Sequence, residues 1–316
     1  MLFVRLQIYK CILGLMNDIA LRCSKLSKRY GSAPTFALKD LTIVVKTGEV
    51  YGFLGPNGAG KSTAIRTLLN FIQPTSGAAT ILDKDIVKDS VEIRKNIGYL
   101  SGDFNAYPKM TGHQFLDYLS ELQPPKNRST KEKLAKTFRA NLHKKIGDLS
   151  KGNRQKIGII QAFMHEPAMY ILDEPTDGLD PLMQEAFYDL VNEVQAKGAT
   201  VFVSSHNLAE VRKMCDRVGI IRDGKLVSEY AIADLALEAA QTFDVVFKNN
   251  VTVAQLRKIK GVQKAAAQQS GFSLHVHGDL SPLLAFLAKQ QVSHLATREL
   301  NLEEQFMKYY ETDTNR

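Results

Sequence analysis

Cysteine is scarce in this chain and irregularly placed: Cys11, Cys23 and Cys215 are the only three in 316 residues. An odd, unspaced set argues against a disulfide framework and against a zinc site, and it fits a reducing compartment. No run of 18 consecutive apolar residues occurs, so the sequence predicts no membrane-spanning helix. Internal repeats and low-complexity tracts are also absent. Basic residues exceed acidic ones, 41 against 33, for a net charge of +8. They are dispersed, however, and no basic run is interleaved with aromatics, so no nucleic-acid partner is expected. The charge excess suits anionic ligands or a place beside a membrane.

What remains is an ordinary globular composition, 44% hydrophobic and 23% charged, with length for one large or two modest domains. Residues 1–18 read as an N-terminal extension. Met1–Met16 is apolar with Arg5 and Lys10 interspersed, has no small-residue cleavage site, and leaves Met16 as a candidate start.

The most informative stretch is Gly55-Pro56-Asn57-Gly58-Ala59-Gly60-Lys61-Ser62, the G-x-x-x-x-G-K-[ST] pattern. Gly55 and Gly60 are expected to allow backbone angles closed to other residues, so that successive N–H groups cradle an anion. Lys61 can reach β- and γ-phosphates, and the Ser62 hydroxyl can ligate Mg²⁺. The flanks agree. Glu49–Leu54 is strand-like, and Ile65, Leu68, Leu69 and Ile72 recur at i, i+3, i+4 and i+7 on one helix face. The helix N-terminus then faces the phosphates.

Strands are also expected at Ala20–Lys25, Leu41–Val45, Ile97–Leu100, Met169–Leu172 and Thr200–Ser204, with a hairpin over Val218–Glu229 turning at Asp223-Gly224. Residues 103–150 are helix-prone and broken at Pro124-Pro125. Met169–Leu172 is a buried strand ending in Asp173 and Glu174. Asp173 is placed to hold Mg²⁺, and Glu174 to polarise a water in line with the γ-phosphate. Phe187, Leu190, Val191 and Val194 mark a following helix capped at Gly198, which makes a βαβ unit and implies a parallel sheet.

Leu149-Ser150-Lys151-Gly152-Asn153-Arg154-Gln155-Lys156 precedes an apolar helix expected to begin near Ile157. Here the chain resembles the ATP-binding subunit of ABC transporters. That family's L-S-G-G-Q signature is matched at Leu149, Ser150 and Gly152, while Lys151 and Asn153 depart from it. Asp177-Gly178-Leu179-Asp180 resembles the family's D-loop. His206 resembles the switch histidine, and Tyr30, 25 residues before Gly55, the aromatic that stacks on adenine. The resemblance covers about residues 20–234. A Gln usual after the strand matching Ile97–Leu100 is missing; the run is Ser101-Gly102-Asp103, and Asp103 can substitute as a carboxylate.

The resemblance implies an α/β fold, a P-loop ABC-type ATPase core with a β-subdomain and a helical subdomain (about 103–165) spanning 19–234. Its nucleotide ligands are expected to be Tyr30, Gly55, Pro56, Asn57, Gly58, Ala59, Gly60, Lys61, Ser62 and Thr63. Ser150, Gly152 and Asp180 act across a head-to-tail dimer, Ser62 and Asp173 hold Mg²⁺, and Glu174 and His206 are catalytic. ATP and Mg²⁺ are the implied cofactors. A second ATPase protomer and a separate transmembrane permease are the implied partners, at the cytoplasmic face of the cell membrane, with residues 103–150 as the docking face. A soluble ATPase acting on ribosomes or DNA is the competing reading; a single cassette without heptads disfavours it.

Residues 242–316 read as an accessory module. Its β-α-β-β-α-β order suggests a small ferredoxin-like α+β fold closed by a helix at Leu302–Tyr310. It resembles tails of bacterial drug- and bacteriocin-resistance members, which favours export. A small-molecule sensor is a further reading of this module.

Overall fold

The computed structural model describes residues 19–31, 33–104, 106–125, 127, 129–234, 241–268 and 270–298. The expectations for residues 1–18 and for a helix at Leu302–Tyr310 lie outside them. The chain divides between Tyr230 and Ala231 into two compact units.

In the first unit, β1 (Ile19–Lys28), β2 (Leu38–Lys46), β3 (Val50–Leu54), α1 (Lys61–Leu68), β4 (Ser76–Ile81), β5 (Lys84–Asp85), α2 (Ser90–Lys95) and β6 (Ile97–Leu100) come first. Three helices follow, α3 (Gly112–Leu122), α4 (Thr130–Thr137) and α5 (Lys151–Phe163). The unit ends with β7 (Met169–Asp173), α6 (Pro181–Ala196), β8 (Thr200–Ser205), α7 (Leu208–Met214), β9 (Arg217–Arg222) and β10 (Lys225–Ala231).

Two sheets result. One is antiparallel in order β2-β1-β4-β5, and the other runs β10-β9-β3-β8-β7-β6 with β9, β3, β8, β7 and β6 parallel. Every residue of β3, β7 and β8 is buried, which suits the apolar stretches Met169–Leu172 and Val201–Val203. Ala64, Ile65 and Leu68 of α1 join side chains from both sheets, among them Leu21, Ile43, Ile81, Ile171 and Phe202, in one core. The core therefore fixes α1, and with it the loop ahead of α1, against the carboxyl ends of the parallel strands. β3 has β8 on one side and β9 on the other, the kind of switch point where α/β sheets bind ligands. The hairpin turn has φ +48 at Asp223 and +74 at Gly224, the two positive angles a type I′ turn needs.

The helical segment begins with a reciprocal capping box. Thr111 Oγ1 accepts from Gln114 N at 3.2 Å, and Gln114 Oε1 accepts from Thr111 N at 2.9 Å. One expectation is corrected: α5 begins at Lys151, not near Ile157. Ser150 caps it by accepting from Asn153 N, so the polar run Lys151–Lys156 forms its first turns.

In the second unit, β11 (Gln241–Phe247), α8 (Val253–Arg257), β12 (Val262–Gln268), β13 (Gly271–Val276), α9 (Ser281–Leu287) and β14 (Val292–Arg298) make an antiparallel sheet in order β12-β13-β11-β14. Phe243, Val245, Leu274 and Val276 pack with Leu256 of α8 and Leu283 of α9. The element order is β-α-β-β-α-β.

Phe202 on β8 has no exposed surface and lies between the Tyr51 and Phe53 rings, at centroid distances of 5.7 and 5.4 Å. Phe202→Ala is expected to cost about 3–5 kcal/mol, read from the first unit's urea midpoint. A loss below about 1 kcal/mol contradicts this packing.

Candidate functional site

The loop between β3 and α1 is shaped by three glycines with two different duties. Gly58 and Gly60 carry positive φ, +84 and +107. Gly55 does not; it is needed because a Cβ there would lie 2.3 Å from Ile221 O. The expectation that Gly55 supplies an unusual backbone angle is therefore corrected to one of close approach. No side chain caps α1, unlike α5 and α6, so its first-turn N–H groups and helix dipole are left for a ligand. Lys61, Ser62 and Thr63 line an open cleft of about 190 Å³ with Ala37, Asn57 and Glu174.

Lys61 is 5% exposed. Its Nζ donates to Gly55 O at 2.5 Å and Pro56 O at 3.1 Å, and stands 3.2 Å from Glu174 Oε1. The other carboxylate oxygen of Glu174, Oε2, is 2.8 Å from His206 Nδ1. Glu174 Oε1 is buried without a directed hydrogen bond; its contact with Lys61 is an ion pair, and the oxygen can still accept from a polar ligand or water. Asp173 is buried, and its Oδ1 accepts from Ser204 Oγ at 2.5 Å. Ser204 Oγ also accepts from Glu174 N at 3.1 Å, and Ser204 O from the same N–H at 3.2 Å. Glu174 has φ +47, a left-handed angle costing roughly 1–2 kcal/mol. Ser204 and the Lys61 pairing hold it there.

Tyr30 stands at the rim, 45% exposed. Its hydroxyl is 3.5 Å from Thr63 Oγ1, and Lys28 Nζ is 5.5 Å from its ring centroid. The structure thus joins Tyr30, the loop, Asp173, Glu174 and His206 by direct contacts. The remaining expected residues form a second cluster. Ser150 caps α5, Asp180 Oδ1 caps α6 through Met183 N at 3.0 Å, and Gly152 packs on Gly178, where a Cβ would come within 2.3 Å of the carbonyl oxygen. Lys151 Nζ pairs with Asp177 Oδ2 at 2.5 Å.

After β6, the backbone of Gly102 abuts β7: a Cβ there would be 3.2 Å from Asp173 O. Asp103 itself is exposed. Tyr99, half-buried on β6, has its hydroxyl pushed up to about 12 by burial and then by the charge of Asp173. Gln114, the first glutamine after this strand, is taken up by the α3 cap and does not replace the missing one. A larger cavity of about 390 Å³ lies between α4 and α6, lined by Lys133, Phe163, Tyr170 and Glu193, and none of the expected site residues lines it.

Sequence reasoning missed two residues at the centre of the site. In the sequence Ser204 is the end of a strand, and its signal is the polar Ser204-Ser205 pair that closes the buried run Val201–Val203. Gln155, 2% exposed, donates Nε2 to Pro175 O at 3.0 Å. Only the early start of α5 brings it there.

Comparison with known proteins agrees with this architecture. A family model described as ABC transporter matches residues 38–177, and a second, an AAA domain, matches residues 145–212. The bacitracin transport ATP-binding protein BcrA of Bacillus licheniformis is 36% identical over 215 residues, 66% of this chain and 69% of BcrA. A fluoroquinolones export ATP-binding protein of Mycobacterium tuberculosis is 32% identical over 209 residues, 66% of this chain and 69% of that protein. Against YbhF of Escherichia coli K12, identity is 34% over 233 residues, and the match spans 40% of YbhF's length. A solved ATP-binding subunit of an ABC transporter superposes with a TM-score of 0.63 at 32% identity, covering 68% of this chain and 91% of that one. The chain belongs to the ATP-binding subunits of ABC transporters.

Ser204→Ala removes a hydrogen bond to each of the two carboxylate residues. ATP turnover is expected to fall about tenfold, the equivalent of one charged hydrogen bond, with ATP affinity held within about twofold. Unchanged turnover contradicts the role of Ser204.

Proposed function

We propose that this chain is the ATP-hydrolysing motor of an exporter whose membrane-spanning part is a separate permease. The observation that carries it is the Glu174 carboxylate held between Lys61 at 3.2 Å and His206 at 2.8 Å, at the end of a buried strand facing the phosphate loop. In this reading Tyr30 stacks on the adenine. The backbone N–H groups of Gly58 and Gly60–Thr63, with the Lys61 ammonium, bind the phosphates. Glu174 accepts a proton from the attacking water, and His206 orients that carboxylate.

The donor set suits Mg²⁺: the Ser62 hydroxyl and the Asp173 carboxylate are hard oxygen ligands, with Asp173 oriented by Ser204. Among the described residues no three His, Cys, Asp or Glu side chains form a ready-made metal site, so most ligands would be phosphate oxygens and water. Bound there, the ion would neutralise phosphate charge. Asp103 takes the place of the family's glutamine, from a loop already packed on Asp173.

Ser150, Gly152 and Asp180 of a second protomer complete the site. The uncapped start of α1 and the capped start of α5 then approach the phosphates from opposite sides. Closure by ATP and reopening after hydrolysis is a shift between two states. No helix among the described residues is long and apolar enough to cross a membrane; the transporter relatives are what support a separate permease, with this chain at its cytoplasmic face. Its docking face on the helical segment is apolar and exposed: Tyr107, Tyr118 and Leu122 are 58, 40 and 66% exposed, and the two tyrosine rings lie 6.4 Å apart. Export is favoured by the drug-transport relatives, and the second unit is an accessory module with a ferredoxin-like strand order.

Glu174→Gln is expected to bind ATP, lose turnover by about 10²- to 10⁴-fold, and elute as a dimer with ATP. Normal hydrolysis by that variant contradicts the assignment. Leu122→Asp is expected to leave the ATPase rate of the isolated chain intact while lowering permease recovery about tenfold or more. Undiminished recovery places the docking face elsewhere.

A further inference from the structure

The cavity of about 390 Å³ between α4 and α6 shares no residue with the nucleotide cleft. Its volume falls within the range of ligand pockets, about 300–1,000 Å³. Leu134 of α4, Phe163 at the end of α5, Tyr170 of β7, and Leu190 and Val194 of α6 form an apolar wall of buried side chains. The Phe163 and Tyr170 rings are stacked, with centroids 4.3 Å apart and planes 22° from parallel. The backbone of Gly98 on β6 closes on the edge of the second ring: a Cβ there would be 2.9 Å from Tyr170 Cδ1. The Tyr170 ring is therefore fixed.

Its hydroxyl is the exception in this wall. Tyr170 is 1% exposed, yet its hydroxyl has no hydrogen-bond partner among the described residues. Burial, and then the charges of Glu166 and Glu193, push its pKa up, so it stays an O–H that can donate and accept. Both of those carboxylates line the cavity, which puts the hydroxyl on the cavity side of the ring. Burying a hydroxyl without a partner is unfavourable, and here an occupant of the cavity can supply one. The charges at the mouth are already matched. Lys133 Nζ and Lys197 Nζ each donate to Glu193 Oε1 at 2.8 Å, and Thr130 Oγ1 donates to Glu166 Oε1 at 2.7 Å. The two lysine hydrogen bonds hold Glu193 below the usual carboxylate range. A charged ligand would have to compete with these pairs, whereas an uncharged one leaves them whole.

We propose that this cavity is a binding site for a small, uncharged, mainly apolar ring molecule whose hydrogen-bonding group meets the Tyr170 hydroxyl. Its apolar body lies against Phe163, Leu190 and Val194. An occupant there touches α4, α6 and β7 together and ties the helical segment to the parallel sheet. The site does not rest on the ATPase reading.

The probes are indole and 1-methylindole, the same ring without its N–H. Binding to the full chain is measured by equilibrium dialysis and read from indole fluorescence, which no tryptophan of the chain obscures. Indole is expected to bind saturably, with a dissociation constant on the order of 0.1–1 mM. Tyr170→Phe is expected to weaken indole about 3- to 10-fold, the worth of one hydrogen bond, and to leave 1-methylindole within about twofold. The same variant is expected to keep the wild-type urea midpoint, because the lost hydroxyl had no partner to forfeit. Ala168→Phe fills the cavity from its exposed rim and is expected to abolish binding of both probes. No saturable binding at the solubility limit of indole leaves solvent as the only occupant and overturns the proposal. It is also overturned if Ala168→Phe binds indole normally, if Tyr170→Phe leaves indole unchanged or weakens both probes equally, or if that variant unfolds earlier.

Discussion

The arrangement depends on a charge problem at the end of β7. A strand buried along its whole length delivers two adjacent carboxylates to the carboxyl end of the sheet. Leaving either uncompensated there would cost several kcal/mol. Asp173 is compensated by the Ser204 hydroxyl, and Glu174 by Lys61 and His206. These partners come from three other elements: α1, the end of β8 and the turn after it. The carboxylates thus lock the phosphate loop and the β8 exit into one site, and strain at Glu174 is tolerated because three neighbours hold it.

The core explains why that lock is precise. α1 is packed between two sheets through Ala64, Ile65 and Leu68, and β8 is pinned by Phe202 between two aromatic rings. Neither Lys61 nor Ser204 can drift without moving fully buried side chains, and close-packed interiors resist that. The signature helix is attached differently. It meets the site through Gln155, a glycine–glycine contact and one half-exposed ion pair. The site therefore combines a half fixed by buried side chains with a half joined by polar contacts.

Much of this was legible in the sequence because it obeys local rules. The loop announces itself by glycine and lysine spacing between a strand and a helix. β7 and β8 are apolar runs of the right length, and Asp223-Gly224 is a turn whose type follows from its residues. The missed parts lacked such signals. β4 (Ser-Gly-Ala-Ala-Thr-Ile) has small residues and three exposed positions in a row, so no alternation marks it. α2 and α7 are only 6 and 7 residues long, too short for a periodicity to stand out. The expected start of α5 falls six residues late because Lys-Gly-Asn-Arg-Gln-Lys is polar. The local cue to its true start is the Ser150 cap. The roles of Ser204 and Gln155 depend on contacts 19 to 31 residues away in sequence, which no local pattern encodes.

An ATPase that drives a separate membrane protein is recovered together with it. The most direct measurement is to recover the tagged full chain from detergent-solubilised membranes of its own host and identify by mass spectrometry what comes with it. A polytopic membrane protein in stoichiometric amount is expected. Recovery of ribosomes or DNA-repair proteins instead, with the chain in the soluble fraction, would contradict it.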